Sequence, residues 1–329
     1  MLRRRDLIKA AAAAAAGVAF AAPAIAQGAW SASGKPVKVI VPWPPGAAND
    51  ALGRLVAQSI RDKFVATVVV ENQTGGSGLI GTKAVIAAEP DGYTLLASAF
   101  NTAVMPLVLK AADFDPETDL DVVARTAVAP LVCVMTAQRP ERTLAEVIAA
   151  AKANPTQWNF AIPSLGAAGH LATIDLIRRT GVAIPMVPYR GTQPALLDVM
   201  TGAVQLLIDA SFALLPAAKD GTKVRALGIA EAQRSVLAPD IPTLAEQGLP
   251  GFAHQSWYAV WAPKGTPREI QATLNALVQD TMRDPAVVAK LTQTLLVPVT
   301  ESIDQTKIFI RQESARAHDL LQSVNFEPT

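Results

Sequence analysis

The stretch Val37–Arg54, VKVIVPWPPGAANDALGR, limits most narrowly what this chain can fold into. Val37, Val39, Ile40 and Val41 form a short apolar, β-branched run of the kind that makes a buried strand. Pro42, Pro44 and Pro45 then withhold the N–H groups a sheet ladder needs, and Gly46 opens backbone angles closed to other residues. A helix is expected next: Asn49 or Asp50 is placed to cap it, and Leu52, Leu55, Val56 and Ile60 recur at helical spacing. Strand, small-residue loop and helix in that order aim unpaired N–H groups and the positive end of a helix dipole at the loop, which is what an anion requires. The loop carries no catalytic pair, so the expectation is binding, of an anionic ligand.

With 329 residues, 50% hydrophobic and 17% charged, the chain can bury two ordinary cores and is far from the composition of a disordered protein. Residues 1–26 stand apart. Three arginines at positions 3–5, an alanine-rich apolar run and Ala24-Ile25-Ala26 before Gln27 read as a cleaved secretory signal, and Arg4-Arg5-Asp6-Leu7-Ile8-Lys9 resembles a twin-arginine signal. Without that segment, the 29 Lys+Arg and 28 Asp+Glu lose four and one, leaving 25 against 27. The near-neutral balance, with no basic cluster interleaved with aromatics, excludes nucleic acid as the expected partner. Cys133 is the only cysteine, so no internal disulfide forms; in the apolar run Pro130–Met135 it reads as a small buried residue.

Further along, Thr67–Glu71 is an expected strand, and Gly76-Ser77-Gly78-Leu79-Ile80-Gly81 matches the spacing of a dinucleotide fingerprint. It follows the second strand and no acid closes the next one, so a tight turn lining one side of a cleft is the better reading. Thr94–Ala97 is a third strand and Ser98–Thr102 a polar loop, with Asn101 where ligands meet the ends of parallel strands. After the acidic segment Asp113–Asp121, the apolar strand Val122–Thr136 is expected to cross into a second domain. There the rhythm restarts: a helix Thr143–Ala153 with Thr143 and Glu146 in capping-box spacing, a strand to Ile162, a helix near His170, a strand ending before Arg190, a helix Pro194–Thr201, and a strand ending at Asp209. Val224–Ile229 is expected to lead back, and the remainder to form the aromatic strand Ser256–Trp261 and C-terminal helices. Such alternation predicts an α/β protein with parallel-rich sheets flanked by helices and a cleft between two domains, divided as 27–125, 126–248 and a return over 249–329.

Little supports catalysis. The three histidines, His170, His254 and His318, are widely spaced and form no metal-ligand pattern. Gly76-Ser77-Gly78 lacks the spacing of a nucleophile elbow. Asp50 and Asp209 facing each other across the cleft would make an acid pair, but Arg54 sits one helical turn from Asp50, the spacing of a simple ion pair. No cofactor or metal is expected. From the residues themselves, Trp43, Asn49, Asn101, Arg190 and Asp209 are the candidate ligand contacts, Arg190 as a possible fork for a carboxylate.

The order of motifs resembles a known family. Val41–Gly46 with Asp50 and Arg54, Val70-Glu71-Asn72 with Gly75–Gly81, Pro90–Thr94, Gly169-His170-Leu171, Val187–Gly191 with Pro194–Leu196, and Trp257-Tyr258 with Ala262-Pro263 resemble the extracytoplasmic solute-binding receptors of tripartite tricarboxylate transporters, the Bug or TctC-like family. The resemblance implies a two-domain, monomeric periplasmic receptor that closes on a di-, tri- or aromatic carboxylate and hands it to membrane permease subunits. Carried over by position, it adds Pro45, Gly46, Ala47 and Asp50 from one domain and Ser164, Ala167, Ala168, Gly169 and His170 from the other. Two positions depart from the family pattern: Ala47 replaces a second glycine, and Ala167 and Ala168 stand where a hydroxyl residue is usual. Both imply a less polar pocket. A secreted α/β enzyme acting on a carboxylated substrate, or a ligand-sensing protein of the same fold, remain the alternatives.

Overall fold

The computed structural model describes Trp30, Ala32 and residues 34–329; the expected signal segment lies outside the described residues. The opening unit forms as its sequence dictates. Strand β1 (Val37–Val41) lies between β2 (Val68–Asn72) and β3 (Thr94–Ala99), parallel to both, and helix α1 (Ala48–Phe64) follows β1 after the proline-rich loop. Gly53 sits where α1 crosses the sheet; a Cβ there would meet Val41 and Ala97 at 2.9 and 3.0 Å.

The centre of the molecule is β4 (Leu120–Thr136), a 17-residue strand buried along almost its whole length. Its first part pairs antiparallel with β9 (Gln255–Pro263), from Leu120 opposite Pro263 to Pro130 opposite Gln255. From Leu131 onward it exchanges these partners for β7 (Leu206–Ala210) and β8 (Val224–Ile229), both antiparallel. One lobe therefore has the strand order β2-β1-β3-β9-β4, with the short β10 (Val297–Pro298) on the far side of β4. The other continues β4-β7-β5-β6, with β5 (Phe160–Ile162) parallel to both β7 and β6 (Met186–Pro188). Register shifts after Val122, Arg125 and Cys133 bulge and twist the strand, so that one chain segment serves two differently oriented sheets.

The sheets are thus mixed: parallel at the flanks, antiparallel where β4 and β9 join the lobes. Strand β8 does not lead back as its position in sequence suggested. It occupies the edge of β4 opposite β7, and β9 makes the return instead. The expected Ser98–Thr102 loop is shorter than its polarity implied. Ser98 and Ala99 complete β3, and Asn101 opens helix α3 (Asn101–Val108), which follows α2 (Leu79–Ile86). The hydroxyls of Ser98 and Thr102 satisfy each other while buried, which is why these polar residues tolerate enclosure.

In the second lobe, α4 (Leu144–Ala153) begins with the complete Thr143–Glu146 capping box, α5 (Ala168–Thr180) ends on Gly181, and α6 (Thr192–Thr201) ends on Gly202. Helix α7 (Ser211–Ala218) follows β7 directly; its apolar composition and internal Pro216 conceal it in the sequence. Helices α8 (Arg268–Arg283), α9 (Pro285–Thr292) and α10 (Ile303–Ser323) complete the chain. Helix α10 packs on α3 and β4 in one lobe and on α5 in the other. Just before it, Glu301 accepts two hydrogen bonds from Arg125 of β4, at 2.9 and 2.6 Å, and the guanidinium stacks 3.6 Å from the Phe309 ring centre. This largely buried bidentate pair fixes the helix to the shared strand. Cys133 is fully buried in β4, and burial pushes its thiol up to about 12, so it is an inert packing residue.

Two glycines of α5 separate close packing from backbone conformation. A Cβ on Gly169 would lie 2.0 Å from the Ile208 carbonyl oxygen, whereas Gly181, at φ 64°, has open space around it. Gly169→Ala should therefore destabilise the protein by roughly 1–3 kcal/mol through forced displacement of α5 from β7. Gly181→Ala should cost about 1 kcal/mol through backbone strain alone. Denaturant unfolding of the two variants checks the order.

Candidate functional site

The two lobes face each other across a cavity enclosing about 620 Å³ of space, part of it open to solvent. Its position between two lobes, at the ends of their strands, suits a small-molecule ligand. One wall belongs to the first lobe: Trp43 and Pro44, Ala47, Ala48 and Asn49 at the start of α1, and Ala99, Phe100 and Asn101 at the β3–α3 junction. The facing wall has Ser164, Ala167 and Ala168 at the start of α5, Gly191, Thr192 and Gln193 at the start of α6, and Asp209 and Ala210 at the end of β7. Ser256 and Tyr258 of the returning strand β9 form the floor.

Four helices begin in this wall. In α1 the ladder starts with the Ala51 N–H bonded to the Ala47 carbonyl at 3.1 Å, so the N–H groups of Ala48, Asn49 and Asp50 precede it. In α5 it starts with His170 and Leu171, both bonded to the Ala167 carbonyl, leaving Ala168 and Gly169 ahead of it. Helix α6 contributes Thr192 and Gln193 before Pro194, and α3 contributes Asn101 and Thr102 before the Ala103 N–H to Phe100 bond. Each terminus carries about half a positive charge. Among the described residues no lysine, arginine or histidine lines the cavity, so the attraction these walls offer an anion comes from backbone dipoles.

The sequence-predicted residues divide into two groups. Trp43, Ala47, Asn49, Asn101, Ser164, Ala167, Ala168 and Asp209 come together in the wall. Pro45, Gly46, Asp50, Gly169, His170 and Arg190 do not line it, and each has a physical reason. Asp50 is turned beneath the loop: its carboxylate accepts the Gly46 N–H at 3.1 Å, Asn72 Nδ2 at 2.9 Å and Arg54 at 3.0 Å. Burial pushes this carboxyl up, but the bonds from Arg54, Asn72 and Gly46 outweigh it and hold it below the usual range. The same Asn72 amide donates to the Trp43 carbonyl at 2.8 Å, so Asp50 and Asn72 together clamp the proline-rich loop. No acid pair spans the cleft, because Asp50 is committed to this clamp.

Gly46, at φ 90°, spends its N–H on Asp50 and lies with Pro45 on the exposed rim. Gly169 is packed against Ile208, and His170 is buried with its Nδ1 accepting the Gly166 N–H at 3.1 Å. Burial brings His170 down to about 4, so at neutral pH it is an uncharged strut, set edge-on to Phe326. Arg190 is exposed and outside the wall. The glycine-rich turn after β2 buttresses the site rather than lining it. The carbonyl of Ser77 accepts the Asn101 side-chain amide at 3.0 Å, and a Cβ on Gly78, at φ 96°, would meet the Trp43 ring at 3.2 Å.

Phe100, Thr192, Gln193, Ser256 and Tyr258 are wall residues that the local sequence did not single out. Thr192 had a signal, as the hydroxyl residue following Gly191 at a helix start. Tyr258 belonged to a motif of the family resemblance but was given no role, and Ser256 had no signal, since both alternate with core tryptophans in a strand whose position depends on β4.

Asp209 is the only acidic residue in the wall among the described residues and is 9% exposed. Its Oδ2 accepts the Thr192 hydroxyl at 2.6 Å and its Oδ1 the Ala210 N–H at 2.8 Å. Burial raises its pKa to about 6 despite both bonds. Burial, with the charge of Asp209 adding to it, likewise pushes the Tyr258 phenol up.

Residues 52–326 match the family model described as the tripartite tricarboxylate transporter family receptor. The chain belongs to this family. It is 37% identical over 284 residues to protein BugT of Bordetella pertussis, covering 86% of this chain and 87% of that protein. Among solved structures, the receptor resembles the periplasmic binding protein BugD, with a TM-score of 0.83 and 29% identity over 89% of this chain and 99% of BugD. It also resembles Rpa4515 of R. palustris, solved with adipate, with a TM-score of 0.85 and 32% identity over 89% and 98% of the two chains. The receptor is accordingly a two-domain solute-binding protein of the periplasmic type, and the family is one of receptors rather than enzymes.

The carboxyl of Asp209 gives a pH signature. Because its pKa in the folded receptor, about 6, lies above the ordinary 3.8, the folded state holds this proton more tightly than the unfolded chain. The stability so contributed is complete below about 3.8 and is lost as pH rises through about 6. Asp209→Asn should therefore melt at higher temperature than the wild type above pH 6, with the advantage disappearing towards pH 4, as calorimetric melting across that range will read.

Proposed function

We propose that this receptor captures a small carboxylate-bearing molecule in the interlobe cavity, the carboxylate lying on the N–H groups at the starts of α1 and α5. The convergence of helix starts in a wall without a cationic side chain is the observation that carries the reading. Adipate, a carboxylate, is the ligand of a relative of the same fold. Charged hydrogen bonds contribute roughly 1.5–3 kcal/mol each, so four or five such donors can offset the cost of association and leave micromolar affinity, about −8 kcal/mol. In this reading the protein is exported to the periplasm with cleavage near Ala26–Gln27, acts as a monomer, and passes its ligand to the permease subunits of a tripartite tricarboxylate-type transporter. The lobes, taken as residues 27–125 with 249–329 and residues 126–248, close by bending β4 where it passes from one sheet to the other.

A thermal-shift screen of di-, tri- and aromatic carboxylates, followed by calorimetry, tests the reading. At a hundredfold its dissociation constant, a true ligand should stabilise by about 2.7 kcal/mol. Ala47→Asp should abolish binding, because it fixes a negative charge beside the anion in partly desolvated space. Arg190→Ala should leave affinity unchanged. Normal binding by Ala47→Asp together with loss in Arg190→Ala would replace the helix-start site by a charge clamp. Small-angle scattering should show a smaller radius of gyration at saturation.

A further inference from the structure

Asp209 shares its corner of the cavity with one of the helix starts assigned above to the ligand. A Cβ on Gly169, in the first turn of α5, would lie 3.3 Å from the Asp209 Cα, and the Thr192 hydroxyl at the start of α6 donates to Asp209 Oδ2 at 2.6 Å. A buried carboxyl therefore stands beside the dipoles that draw a ligand carboxylate. Its surroundings supply hydrogen bonds but no positive charge. The Ala210 N–H donates to Oδ1, Val132 is opposite on β4, and Gln193, Ser256 and Tyr258 add donors to the wall that are all neutral. Titratable groups on the packed elements do not change this. Cys133 of β4 is an inert thiol, His170 of α5 is uncharged at neutral pH, the Tyr258 phenol of β9 stays protonated, and Asp198 of α6 is bonded to the Tyr189 hydroxyl. Arg190 is exposed and outside the wall.

We propose that the receptor binds its anion together with a proton: Asp209 is ionised in the empty cavity at neutral pH and becomes the neutral acid when a carboxylate enters. This inference rests on the carboxylate reading above and deepens it. The proton comes from solvent and adds to a lone pair of Oδ1 or Oδ2, one of which remains on each oxygen after the bonds from Ala210 and Thr192, and no bond of the ligand breaks. Two carboxylates in one desolvated cavity with no cation between them do not both stay charged, because each raises the pKa of the other. Burial has already brought Asp209 to about 6, so protonating it at pH 7 costs only about a tenfold factor in affinity, less than the repulsion it removes between charges a few ångströms apart. Affinity is therefore complete below about pH 6 and falls, by up to about tenfold per unit, as pH rises above it.

Calorimetry with succinate, adipate and benzoate at pH 7.5, in phosphate and in Tris, tests this, since the observed heat shifts with the ionisation enthalpy of the buffer by the number of protons exchanged. Uptake of about half a proton or more per ligand is expected for each acid that binds, with affinity falling roughly five- to tenfold between pH 7 and pH 8. Asp209→Asn should bind without proton uptake, with an affinity that is flat over that interval and at least equal to the wild type's at pH 8. Thr192→Val, which removes a bond that lowers the Asp209 pKa, should move the whole pH dependence upward, and it decides the matter should Asp209→Asn not fold. Equal heats in the two buffers overturn the proposal, as do proton release, uptake that survives Asp209→Asn, or a pH dependence that Thr192→Val leaves in place. Binding without uptake overturns this inference alone, whereas binding of none of the three acids overturns the carboxylate reading and this inference with it.

Discussion

Everything in this molecule depends on one strand being shared by two sheets. Strand β4 exchanges β9 and β10 for β7 and β8 at Pro130–Leu131, and the bulges along it supply the change of direction. Because it is hydrogen-bonded on both edges through most of its length, it cannot be removed from either lobe without dismantling the other. Its bidentate anchor to Glu301 fastens the C-terminal helix to the same axis. The cavity lies where the lobes diverge from this spine.

The site follows from that frame. Parallel β–α units place helix starts beyond the strand ends, and the two lobes present those ends to one another. Their dipoles add up to a concentrated positive potential without a buried guanidinium, whose desolvation would be expensive. The side chains with the strongest charges near the opening loop are used for construction. Asp50, Arg54 and Asn72 hold the prolines in place, which allows the Ala47–Asn49 backbone to stand ready before any ligand arrives. Asp209 is the exception, a carboxylate retained inside the cavity.

Much of the architecture was legible because local signals agreed with each other. Val37–Val41 and the prolines after it dictated strand and break; Thr143 and Glu146 announced a capped helix. The misplaced elements were those set by long-range pairing. Nothing within Val224–Ile229 says which edge of β4 it will occupy, and an apolar helix such as α7 looks like any buried segment. The same division runs through the cavity wall. Of the loop residues at helix starts, Asn49 was visible from the residues themselves and Ala47, Ala167 and Ala168 came through the family resemblance, but their roles were not legible. Gly46 and Asp50 satisfy each other, Gly169 is held by the Ile208 carbonyl, and His170 supports Gly166, relations between groups whose orientation only the folded chain fixes. Ser256 and Tyr258 reach the wall from the far end of the chain.

Trp43 has a consequence outside recognition. Among the described residues it is the only tryptophan in the cavity wall, with its ring against Gly78 and its carbonyl held by Asn72, while Trp158, Trp257 and Trp261 are enclosed in the cores. A molecule entering the cavity changes the polarity around that one indole and leaves the core indoles as they were. The protein thus carries its own optical probe of the cavity, an emission signal that can be followed without attaching any dye.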